Sequence, residues 1–159
     1  MQQHIDNLNH PNLRQRLEAA AALASAGQAS FDPLVAALDH ESVEVRWRAA
    51  AALGWLGDAR AIQPLARRGA NEGYEVKYNV TWALGQIGDA AAIEPLLQIV
   101  HAGEAESPDV RYNAALALAR LGQAEALRGS LLGSAEAVYR VAHAALAAYD
   151  YSITKFNSL

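Results

Sequence analysis

The stretch EVRWRAAAALGWLGD, Glu44 to Asp58, decides the fold. It returns as EVKYNVTWALGQIGD, Glu75 to Asp89, and in blurred form as DVRYNAALALARLGQ, Asp109 to Gln123. A looser copy runs from Ala137 to Asp150, and a degenerate one from Gln15 to Gly27. Aligned on Gln15, Val45, Val76, Val110 and Val138, the copies are spaced by 30, 31, 34 and 28 residues. The 34 absorbs a small loop insertion, GEAESP, Gly103 to Pro108. Self-similarity at a fixed period of this length specifies stacked units, because one unit cannot bury its apolar face alone.

Each copy is the second helix of a pair. Residues 2–9 form a short helix that stops at the His10-Pro11 step, since the residue before proline is pushed out of the α region. Asn12 opens a helix that runs through Ala26 and ends at Gly27. Asp32-Pro33 starts a helix over 32–38, with proline in the first turn. Asp39 to Ser42 is a turn with Ser42 as N-cap of the helix 43–56. The plan then repeats: a short helix carrying AIQPL (Ala61 to Leu65), a break at Gly69 to Gly73, and a helix over 74–87. AIEPL (Ala92 to Leu96) opens the next short helix, followed by 109–121, then 123–132 and 135–149. Tyr151 to Leu159 reads as a frayed tail or short cap. The expected organisation is one all-α solenoid of about five helix pairs over residues 1–150, with a tail at 151–159.

Bulk composition agrees and excludes several functions. Hydrophobic residues make up 52% of the 159, much of it alanine, with only eleven aromatics. Alanine is the best helix former and allows helices to approach closely. A net charge of −4 argues against nucleic-acid binding, which needs a basic surplus to displace phosphate counterions. The chain contains no cysteine, so disulfides, thiolate metal sites and a thiol nucleophile are out. With no apolar leader at Met1 to His4 and no apolar run of spanning length, a soluble cytoplasmic protein without membrane contact is expected.

The pattern V-R-x-x-A-A-x-A-L-G-x-L-G-D, behind a short helix and a turn, resembles the HEAT-like repeat. More narrowly it resembles the short form found in the E/F-type phycobilin lyases, the enzymes that attach chromophores to phycobiliproteins. Trp82 within VTWALG (Val80 to Gly85) is similar to the family's A-A-W-A-L-G. Arg46-Trp47 and Arg111-Tyr112 are similar to its V-R-W/Y. The resemblance covers nearly the whole chain. It implies that the second helix of each pair lines a concave groove.

Numbered from its valine, that helix places positions 1, 5, 8, 9 and 12 on one buried stripe, with position 10 small (Gly54, Gly85, Ala119, Ala147) where a neighbour presses in. Positions 3, 7 and 11 form a second stripe. They read Trp47, Ala51 and Trp55, then Tyr78, Trp82 and Gln86, then Tyr112, Leu116 and Arg120. These rings either pack between helices as core or wall an aromatic groove for a flat apolar ligand or a partner helix. Beside them runs a row of cations: Arg16, Arg46, Lys77 and Arg111 at position 2, with Arg48 at position 4 and Arg140 in the last pair. They either pair with nearby acids such as Glu44, Glu75 and Asp109, or receive carboxylates from a ligand. Asn79 and Asn113 at position 4 are solvated or add hydrogen bonds.

Other chemistry is unsupported. Asp58 and Asp89 sit where aspartate caps the next short helix. His4, His10, His40, His101 and His143 lack metal-ligand spacing, and the single His40-Glu41 pair lies in a turn, so no metal is expected. There is no glycine-rich phosphate loop and no Gly-x-Ser-x-Gly turn.

Two readings remain open. The resemblance implies a phycobilin lyase-like protein that holds an open-chain tetrapyrrole non-covalently and assists its attachment to a phycobiliprotein cysteine. Arg46, Trp47, Trp55, Lys77, Tyr78, Trp82, Arg111 and Tyr112 are its ligand-binding residues, and no catalytic residue is assignable. The short chain points to one member of a two-chain lyase, the weakly polar terminal repeats leave a homo-oligomer open, and no cysteine motif of the isomerising members is present. The alternative is a non-catalytic HEAT-repeat adaptor or scaffold that binds a protein partner through the same groove.

Overall fold

Val45, Ala49, Ala50 and Leu53 are wholly inaccessible, and the helix that carries them is the hub of its half of the chain. This helix is α4, Val43–Leu56, in a computed structural model that describes residues 1–132 and 134–156. The chain divides into two compact units, Met1–Ile87 and Gly88–Leu159. The first holds α1 (Gln2–Asp6), α2 (Leu13–Ala26), α3 (Phe31–Ala37), α4, α5 (Ile62–Gly69) and α6 (Tyr74–Ile87). The second holds α7 (Ile93–His101), α8 (Pro108–Leu118), α9 (Ala124–Ser130) and α10 (Glu136–Phe156). Ten α-helices among the described residues thus make five consecutive pairs, and the fold class is the all-α solenoid type expected from the period.

In the first unit α4 packs closely on α6, and more lightly on α3 and α2. The α4–α6 contact depends on position 10. A Cβ on Gly54 would lie 2.8 Å from Ala83 Cα and 2.9 Å from the Trp82 ring, so only glycine admits this approach. Gly69 of α5 has the same relation to Val80, whose Cγ1 would stand 2.8 Å from a Cβ at that position. In the second unit α8 packs against α7 and α10, and Val110, Ala114 and Leu118 of α8, Leu96 and Val100 of α7, and Ala142 and Leu146 of α10 are all buried. Each leucine so buried stabilises the unit by roughly 2 kcal/mol.

The buried stripe is wider than the sequence suggests. Position 6 (Ala50, Thr81, Ala115) is as inaccessible as position 5, because these helices are covered from several sides. Ala52 and position 12 (Leu56, Ile87, Leu121) are only half-buried. At the helix starts, Asn12 accepts the Arg14 N–H at 2.8 Å, and Asp58 and Asp89 accept from Arg60 and Ala91 at 2.9 and 2.8 Å. Ser42 sits at the N-cap but makes no side-chain cap; its hydroxyl donates to Glu44 instead, at 3.0 Å.

The stretch expected as a tail from Tyr151 onward is helical through Phe156. Nothing in DYSITKF breaks a helix, and Ser152 and Thr154 donate back to the Tyr149 and Asp150 carbonyls at 2.7 and 2.9 Å. Residues 157–159 lie outside the described residues. The helix expected over 109–121 ends in a kink within Ala119–Gln123, where Gly122 takes the left-handed φ of +78° and the chain turns into α9. Among the described residues no helix is long and apolar enough to cross a membrane.

Candidate functional site

The position-2 arginines have local work. Arg16 Nη1 donates to the His10 and Pro11 carbonyls at 2.8 and 3.1 Å, and thirty residues on Arg46 Nη1 donates to those of His40 and Glu41 at 2.9 Å each. The histidines complete the same turn, His10 Nδ1 accepting the Asn12 N–H at 3.1 Å and His40 Nδ1 that of Ser42 at 3.0 Å. Each arginine thereby satisfies two carbonyls of the turn that leads into its own helix, which lie outside any helical ladder.

Arg46 reaches onward as well. Its Nη2 donates to Glu72 Oε2 at 3.1 Å, and its Nε lies 2.9 Å from Oε1. Arg68 pairs with the same carboxylate and with Asp39, which ties the start of α4 to the connection between α5 and α6. Burial pushes the Glu72 carboxyl's pKa up, but the Arg46 hydrogen bond and the charges of Arg46 and Arg68 outweigh it. The result lies below the ordinary glutamate value. Arg60 holds Asp58 below the ordinary aspartate value, at about 2, by hydrogen bonds from its side chain and its backbone N–H. Arg111, 4% exposed, donates to the Ala137 carbonyl at 3.1 Å. Lys77 is half-buried and already engaged. Of the cations expected at the site, Arg46 and Arg111 are therefore structural clasps. For Arg46 the pairing carboxylate is Glu72, from a different loop.

The aromatic stripe divides. Trp55 is 72% exposed, with its ring centroid 5.0 Å from that of half-buried Trp82 in an edge-on arrangement. Trp47 is half-buried beneath the Arg48 guanidinium, 4.2 Å from the ring centroid. Tyr78 pairs with Tyr74 at 5.9 Å, and Tyr112 is half-buried in the second unit. Trp47 and Trp55 face a groove of about 700 Å³ between α2 and α4; Trp82, Tyr78 and Tyr112 do not line it.

The groove's other wall is α2, which stands off α4. It presents Leu13, Leu17, Ala20, Ala21 and Ala24, with Leu13 and Leu17 59% and 61% exposed. Leu8, Leu23, Ser30 and Leu34 contribute further lining. Two cations border this apolar space, Arg16 from α2 and Arg48 from α4. The Arg48 Nη1 donates to the Glu44 carbonyl at 3.2 Å. Burial first, then the nearby charge of Arg16, lowers the guanidinium's pKa from its ordinary value.

Sequence reasoning passed over the α2 wall because its repeat copy is degenerate. The signal was Leu13, Leu17, Ala20 and Ala24 at helical spacing, an apolar face left without a neighbour. Among the described residues no group of three or more His, Asp or Glu is placed to hold a metal ion.

Paired helices repeating at about 31 residues, joined by the same arginine-clasped turn in the first two pairs, define a helical-repeat protein. A family profile described as HEAT repeats matches residues 2–74 and 70–149, and the chain belongs to that family. Its structure is similar to that of the complex of CpcE and CpcF of phycocyanin lyase from Nostoc sp. PCC7120, with a TM-score of 0.61 and 22% identity. The match covers 92% of this chain and 64% of that one, so this chain spans less than two thirds of the protein it resembles. No curated protein matches.

Proposed function

We propose that this HEAT-repeat chain is a phycobilin lyase-like protein whose α2–α4 groove receives an open-chain tetrapyrrole and holds it for attachment to a phycobiliprotein cysteine. The observation that carries this reading is the apolar groove of about 700 Å³ with Trp47 and Trp55 on one wall. That volume lies in the usual range of small-molecule sites, and indole rings offer flat contact to a conjugated ligand at little entropic cost. The repeat motifs suggest the ligand class, and the likeness in fold to the CpcE and CpcF complex supports it. Because that structure is a complex of two proteins, the working unit proposed here includes a second HEAT-like chain. The attacking thiol comes from the acceptor, since this chain has no cysteine. Its own residues bind and orient.

Mixing the purified protein with biliverdin and recording the visible spectrum tests the reading. A red-shifted, sharpened band that is lost in Trp47→Ala and Trp55→Ala is the expected result. An unchanged spectrum overturns it. The adaptor reading draws on one observation of its own: Leu13, Leu17 and Trp55 are more exposed than a groove closed around a small ligand requires, and they suit the apolar face of a partner helix. An unchanged spectrum together with stoichiometric binding of a purified phycobiliprotein subunit is the outcome that favours it.

A further inference from the structure

We infer that the Arg16 and Arg48 pair at the α2–α4 groove is a carboxylate anchor, so that the groove selects flat apolar ligands bearing an acid group and discriminates against their esters. The inference rests on the groove being a ligand site, and deepens that reading by naming what the ligand must carry.

Three observations bear on it. Arg16 and Arg48 come from opposite walls and both line the groove. Neither lies within ion-pair distance of a carboxylate among the described residues, whereas Arg46 and Arg68 share Glu72, and Arg128 pairs with Glu125 and Asp150. Arg48 is also held in place, its guanidinium over the Trp47 ring and one nitrogen on the Glu44 carbonyl. Two like charges beside an apolar space repel each other, and the Glu44 carboxylate, which acts on Arg48 from beyond ion-pair distance, offsets this only in part, since the guanidinium's pKa stays below its ordinary value. A carboxylate entering there gains from both and relieves their repulsion. Burial of Arg48 strengthens that gain, because a partly desolvated guanidinium is screened less by water. Arg16 keeps its clasp on the His10 and Pro11 carbonyls through Nη1 alone, which leaves the rest of its fork for a ligand.

The test uses two acid–ester pairs, biliverdin with its dimethyl ester and 1-pyrenebutyric acid with its methyl ester, each titrated by quenching of tryptophan fluorescence. The expected result is at least tenfold tighter binding of an acid than of its ester, as a charge-assisted hydrogen bond provides. In Arg48→Gln the preference falls towards unity while ester affinity stays within about twofold, and Arg48→Lys restores part of it. Equal binding of acid and ester by the unmodified protein overturns the inference and leaves the tetrapyrrole reading standing. Preference for pyrenebutyrate with no binding of biliverdin upholds the anchor and overturns the tetrapyrrole. Failure of all four probes to bind overturns both.

Discussion

Glu72 neutralises two guanidiniums from a position only 6% exposed, so its removal leaves Arg46 and Arg68 facing an uncharged group. Breaking a buried pair from one side is costly, and Glu72→Gln is expected to destabilise the first unit by about 3 kcal/mol, read as a lower urea midpoint at pH 7. The same carboxylate gives a pH dependence of known sign. Its folded pKa lies below the unfolded value of about 4.3, so the unfolded state takes up the proton first. The stabilisation is therefore fully present above that pH and is lost as pH falls through the lower folded value. Urea midpoints followed from pH 6 to pH 3 should show this loss in the natural protein and a shallower one in Glu72→Gln. What a single residue does here was only half legible. That Arg46 stands beside Trp47 is written in the chain, but its partner, Glu72, is 26 residues away and becomes visible only when α4 and α6 are packed.

At the scale of helices, two contacts of α4 contrast. Towards α6 the helices close on Gly54, and Gly54→Val would force branched carbons into the Ala83 backbone. We expect a loss of about 2–3 kcal/mol in equilibrium unfolding, from overpacking that neither backbone can relieve. Towards α2 the helices stand apart, and α2 keeps a mostly exposed face. A helix with few packed neighbours opens locally at low cost, so amides of α2 should exchange faster than those of α4. Asn12→Ala removes the cap on α2, costing about 1 kcal/mol, and should speed that exchange by about fivefold while leaving α4 nearly unchanged. Hydrogen exchange read by mass spectrometry checks both statements. The helix boundaries themselves were largely legible, because glycine, proline and the apolar period mark them. The stand-off of α2 was not, since nothing in a degenerate copy says whether its apolar face is covered.

For the whole molecule, the repeat period carries the architecture. Five copies counted from the sequence became five helix pairs, and the division into Met1–Ile87 and Gly88–Leu159 falls between the third pair and the fourth. Which rings and cations meet in a groove depends instead on tertiary packing. Trp47 and Trp55 line it, Tyr112 belongs to the other unit, and Arg48 borders it where Arg46 was expected. A stripe on one helix fixes direction around that helix and leaves open what lies opposite.

The arginine-and-histidine turn, finally, is portable. All its partners lie within six residues of the arginine, so it travels intact with the segment that encodes it. Excising Pro11 through His40 would join His10 to Glu41 and give Arg46 carbonyls at the same separations it uses now. The shortened chain should still melt cooperatively by circular dichroism, yet without α2 it should leave biliverdin's spectrum untouched. A joint of this kind lets such a chain lengthen or shorten by whole periods, with binding capacity, rather than foldability, changing at each step.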